Sequence, residues 1–107
     1  MEVYIMQCKK DKTKEQLLAE REHTIEVVKR SYPDKNIKIV DSEIIKGAVI
    51  KASPLWAMGQ LLQLLSAIDL VVFAENAVLS RECRIVNICC EEFDIPFAHC
   101  VGHEIIK

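Results

Sequence analysis

The stretch Asp69-Leu-Val-Val-Phe-Ala74, the polar turn at Glu75 and Asn76, the segment opening Ser80-Arg-Glu-Cys83 and a second apolar run ending at Cys100 together decide the fold. A short apolar run rich in β-branched residues reads as a buried strand, and a serine ahead of a periodic segment reads as a helix N-cap. Strand, loop, helix and strand in that order require a crossover connection between parallel strands. In open α/β sheets the ligand lies beyond the carboxyl ends of the strands, near helix N-termini. Glu75, Asn76, Ser80, Arg81 and Glu82 occupy that place. Gln7, Cys8 and Lys9 follow the first strand, and one crevice between the first and third strands is expected to gather both groups as ligand-binding residues.

Upstream, Val3 to Gln7 is a first strand. Thr13-Lys-Glu-Gln16 is a capping box, and Leu17, Leu18, Ile25, Val28 and Tyr32 then recur at helical spacing until Pro33. Ile37 to Val40 is a second strand, stopped by Asp41 and Ser42. Ser53-Pro54 supplies an N-cap and a first-turn proline for a helix from about Leu55 to Ala67. Its apolar residues, among them Trp56, Met58, Leu61, Leu62 and Leu65, cover more than one stripe. One face is expected on the sheet and another on a partner subunit, which makes the protein a homo-oligomer through this helix. The order βαβ-αβαβ predicts a single α/β domain over residues 1–107. Its architecture is an open parallel sheet of about four strands with helices on both faces, flavodoxin-like or Rossmann-like.

Composition narrows the partners. At 107 residues, half of them apolar, the chain fits one domain with one core. Its 14 basic and 16 acidic side chains are nearly balanced. The cations are spread along the chain instead of forming a stripe, so a nucleic acid polymer is not expected as a partner. No apolar run approaches the roughly 20 residues of a membrane span, and Met1-Glu-Val-Tyr-Ile5 lacks the basic flank of a signal peptide. No membrane association and a cytoplasmic location are expected. The five cysteines, Cys8, Cys83, Cys89, Cys90 and Cys100, show no C-x-x-C spacing, and His23, His99 and His103 share no spacing. Neither a metal site, a disulfide framework nor a cofactor is expected. Cys89 and Cys90 read as small core residues pointing to different sides. Cys83, in a first helical turn beside Arg81 and Arg84, is placed where a thiolate is favoured if the group is exposed.

Tyr4-Ile5 in the first strand, Pro54-Leu-Trp56, the Leu61 to Leu65 helix, Ile68-Asp69 and Ser80-x-x-Cys83-x-x-Val86-x-x-x-Cys90 fall in the order of a known family. The chain resembles the nucleoside 2-deoxyribosyltransferase superfamily, and more closely its small, mostly phage-encoded members. The resemblance covers nearly the whole chain. It implies a deoxyribosyltransferase-like fold, a nucleoside or nucleotide ligand and, in active members, a nucleophilic glutamate that holds the sugar as a covalent glycosyl-enzyme. That chemistry demands a carboxylate to stabilise an oxocarbenium-like transition state and form an ester. The matching position here is Val86. The family glycine that lets the ligand approach the backbone is matched by Glu82, and a second family acid by Ser80.

The resemblance therefore implies a binder without the catalytic acid. An active transferase or nucleoside N-glycosidase remains the alternative if Glu82, one helical turn before Val86, or Glu75 supplies the acid. An oligomeric scaffold without a nucleotide ligand is a third reading. Individual residues carry two readings as well. Glu82 suits the positive end of a helix, and Glu75 suits a solvated loop. Ser80 is an N-cap or a ligand contact, and Arg81 and Arg84 suit an anion or a solvated face. Trp56 packs in a core or interface, or stacks on a base. Asp41 closes a strand or accepts hydrogen bonds from ribose hydroxyls. Lys9 to Lys14 is a solvated loop or touches phosphate. Asp69, at the opposite end of its strand, reads as a turn residue.

Overall fold

The computed structural model describes residues 1–41, 63 and 65–107. The expected helix from Leu55 to Ala67 lies outside them apart from Gln63 and residues 65–67, and Trp56 and the oligomer contact assigned to that helix lie outside them as well. The described elements are β1 (Glu2–Met6), α1 (Lys14–Ser31), β2 (Lys38–Val40), β3 (Leu70–Phe73), a single 3-10 turn (Ala77–Leu79), α2 (Arg81–Glu92), β4 (Phe97–Val101) and β5 (Glu104–Ile106). They form a five-stranded sheet in the order β2-β1-β3-β4-β5. The first three pairings are parallel and β4 pairs β5 antiparallel.

The expected count of about four strands is one short, because the residues after Cys100 fold back. Val101 opposes Glu104 across a two-residue turn in which Gly102 has φ +59°. A glycine at the first central position is a hairpin signal, since it adopts positive φ without a Cβ clash. The hairpin is tied to α1 by His23, whose Nε2 lies 2.8 Å from the Gly102 carbonyl oxygen and whose ring meets His103 edge to face at 5.1 Å.

Strand alternation divides the core. Val3, Ile5, Leu70 and Val72 share a cluster with Val27 and Val28 of α1. Tyr4, Met6, Val71 and Phe73 share the other with Cys83, Val86, Cys89 and Cys90 of α2. Successive strand residues point to opposite faces, so each cluster takes every second residue. Cys89 and Cys90 were expected on different sides. Both enter the second cluster, at 0% and 1% exposure, because thiols are small enough for neighbouring helix positions to face the sheet together.

The element ends follow the local sequence. Thr13 Oγ1 accepts from the Gln16 N–H at 3.2 Å while Gln16 Oε1 accepts from the Thr13 N–H at 2.9 Å, a reciprocal capping box that opens α1. Ser80 Oγ accepts from the Cys83 N–H at 3.1 Å and opens α2. At the amino end of the sheet, Asp69 Oδ2 accepts from the Glu2 N–H at 2.6 Å, and Asp69 N–H donates to the Glu2 carbonyl at 2.9 Å. Asp69 thus fastens β3 to β1 at the end away from the cavity described next. No helix among the described residues is long and apolar enough to cross a membrane.

Candidate functional site

A cavity of about 700 Å³ opens at the carboxyl ends of β1 and β2, beside the start of α2. That volume lies within the range of small-molecule sites. Among the described residues it is lined by β1 from Tyr4 to Met6 and by Gln7, Lys9 and Lys10 of the following loop. Arg21 of α1, Asp41 after β2, and Leu79, Ser80, Arg81, Glu82 and Arg84 complete the lining. Gln7, Lys9, Asp41, Ser80, Arg81 and Glu82 are therefore brought together as the sequence led us to expect.

Cys8, Glu75 and Asn76 are not among the described lining residues. Cys8 is buried and adds to the electrostatic surroundings of Cys83, so it lies inside, near the base of α2. Asn76 adopts the left-handed region at φ +61° as the chain enters the 3-10 turn. Glu75 is exposed, and its charge bears on Cys100 of β4. Arg21 was not foreseen, and Lys10 only within the Lys9 to Lys14 run, read as a solvated loop or a phosphate contact. Arg21 was one polar residue of a long helix.

Local packing fixes several of these groups. The Gln7 amide donates to the Leu17 carbonyl at 2.9 Å and to Glu20 Oε1 at 3.0 Å, so it clamps the end of β1 to α1. Glu20 is also paired with Lys12 at 2.7 Å. Ser80 is engaged three times, through its Oγ, through its N–H, which donates to the Ala77 carbonyl at 3.0 Å, and through its carbonyl, which accepts from the Arg84 N–H at 3.1 Å. The amides of Arg81 and Glu82, in the first turn of α2, have no intrahelical partner by the geometry of a helix start.

Glu82 and Val86 are separated by one turn and by a change of environment. Glu82 is exposed at the cavity wall, whereas Val86 has 0% exposure within the core and is absent from the described lining. The only described carboxylates in the lining are Asp41 and Glu82. Glu82 alone of the two acids considered for catalysis has access to a cavity occupant.

Cys83 has 0% exposure. Burial pushes its thiol pKa up, opposed by the hydrogen-bonding Ser80 and reinforced by Cys8, Glu82 and Glu20. The helix-start position expected to favour a thiolate is outweighed by desolvation. Burial also raises the Cys89 and Cys100 thiols and pushes Cys90 up from 9.0 to about 12, with Cys89 and Glu91 adding to the shift at Cys90. A folded-state pKa above the unfolded value means that the unfolded chain releases protons the folded chain keeps. Stability is accordingly full below pH 9.0 and falls as pH rises toward about 12. Urea midpoints measured across that window should decline with pH, and a flat profile would show that these thiols ionise freely in the fold.

Among the described residues, no three His, Cys, Asp or Glu side chains form a metal-binding group. The fold and site thus define an α/β protein with a cation-lined cavity at the carboxyl edge of its sheet. No protein-family model matches the chain, and comparison with curated proteins and with solved structures gave no significant match.

Proposed function

We propose that the chain is a nucleoside- or nucleotide-binding protein of deoxyribosyltransferase-like fold, with helices on both faces of its sheet and no glycosyl transfer of its own. The observation that carries this reading is the division between Glu82 and Val86. A cavity sits where a ligand sits in open α/β sheets, while the position at which the family resemblance requires a nucleophile is a buried valine outside the described lining. The alternate partitioning of the two core clusters between α1 and α2 supports the arrangement of helices. Fold analogy alone does not assign a reaction, so the binding reading stands on the cavity.

A second reading is favoured by one specific feature, the exposed Glu82 carboxylate in the lining. There the protein is a nucleoside N-glycosidase or deoxyribosyltransferase that uses Glu82 as its acid. Titration calorimetry with nucleosides and nucleotides, with released base followed chromatographically in the same samples, separates the readings. Binding without base release is the expected result. Release abolished by Glu82→Gln would establish the enzyme, and no binding to any nucleoside or nucleotide would leave a scaffold.

A further inference from the structure

We infer that the cavity takes a ligand carrying at least two phosphoryl groups, an inference that rests on the nucleotide-binding reading and narrows it. The chain as a whole carries a formal net charge of −2. The described cavity lining runs against that balance. Lys9, Lys10, Arg21, Arg81 and Arg84 face two carboxylates, Asp41 and Glu82, a surplus of three positive charges. Like charges gathered around one hollow repel one another, and an anionic occupant relieves that repulsion.

None of the five cations makes an ion pair with another described residue. Of the two acids that flank Arg21 in the chain, Glu20 is already held by Lys12 at 2.7 Å and by Gln7 at 3.0 Å, and Glu22 forms no ion pair with Arg21. The cations also come from three separate elements, the loop after β1, the middle of α1 and the first turn of α2. One phosphate carries about −1.5 to −2 charges near neutral pH, fewer than this surplus. A chain of two or three phosphoryl groups matches the charge of the described lining. The unpartnered amides at the start of α2 add donors on the same wall.

The neutral nucleoside, its monophosphate and its triphosphate, in matched adenosine and thymidine series, and inorganic tripolyphosphate are titrated into the purified full chain by calorimetry. Affinity should rise at least tenfold from mono- to triphosphate and fall as sodium chloride is added. Arg21→Ala and Arg84→Ala should each weaken triphosphate binding by about tenfold, a larger loss than either causes for the nucleoside. Arg84 is exposed and Arg21 half-buried, and neither belongs to a core cluster, so circular dichroism should show the fold intact. Equal affinity for nucleoside, mono- and triphosphate would overturn the inference and leave the nucleotide-binding reading standing. Binding of tripolyphosphate without any nucleotide would support the phosphate assignment and remove the nucleotide. Failure of every probe to bind would overturn both.

Discussion

Val86→Glu should destabilise the protein by about 3–5 kcal/mol and should not create a glycosyl-transfer enzyme. Val86 has no exposed surface and packs in the cluster that joins α2 to the sheet, among them Met6, Phe73 and Cys90. An isolated carboxylate there loses its hydration and finds no cation within the cluster, the situation in which single substitutions reach the upper end of the destabilising range. For a domain of this size each 1 kcal/mol lowers Tm by roughly 4–8 °C, so thermal unfolding should begin at least about 12 °C earlier. The sign of the pH effect is fixed as well. Burial raises the pKa of the introduced acid in the folded state, so the variant should recover stability as pH falls toward the ordinary carboxylate range and lose it as pH rises. Val86→Ala should cost only about 2 kcal/mol, with no pH dependence below pH 7. Base release is not expected from Val86→Glu, alone or combined with Glu82→Gly. A variant as stable as the parent that released base would show that this position opens to the cavity and would reverse the proposed function.

That test bears on where sequence reading reached its limit. The capping box at Thr13, the N-cap at Ser80 and the apolar strands are local signals, each fixed within about four residues, and all three recur in the structure. The neighbour order of β2, β1, β3 and β4 follows from crossover connections between parallel strands. The fifth strand was missed because Glu104–Ile106 is three residues long with a single half-buried side chain, Ile105, and only Gly102-His103 marked its turn. The site was legible in part for a related reason. Residues at strand ends and helix starts are placed by topology, which brought Gln7, Lys9, Asp41, Ser80, Arg81 and Glu82 to one cavity. Arg21 reaches it because of how α1 lies across the sheet, a tertiary property without a spacing signal. Glu75 and Asn76 follow β3 but are not among the described lining residues, and the left-handed conformation of Asn76 is not encoded in the apolar pattern.

Phe73→Ala should cost about 3–5 kcal/mol and should reach the cavity through the sheet. Phe73 ends β3, the strand between β1 and β4, and has no exposed surface. Its ring stacks on His99 at 5.0 Å and meets Phe97 edge to face at 6.3 Å, so truncation removes two aromatic contacts together with the buried area. Phe73→Leu keeps most of the volume and should cost roughly half as much. Phe93→Ala, at a residue that is 47% exposed, should cost less than about 1 kcal/mol and serves as the control for loss of a phenyl group at the surface. Urea denaturation with an unchanged slope is the appropriate readout, because it separates lost stability from a changed unfolded state. The position matters beyond the core. Phe73 is the register partner of Met6, and the next residue, Ala74, donates its N–H to the Met6 carbonyl at 2.9 Å. Met6 is part of the cavity lining, and Gln7 after it ties the same strand end to α1. Loosening Phe73 therefore loosens the floor that holds the cationic wall in register. A variant still folded at low temperature should bind tripolyphosphate more weakly than the parent although no cation has been removed. Undiminished binding in a destabilised variant would mean that the cavity is held by α1 and α2 without help from the end of β3.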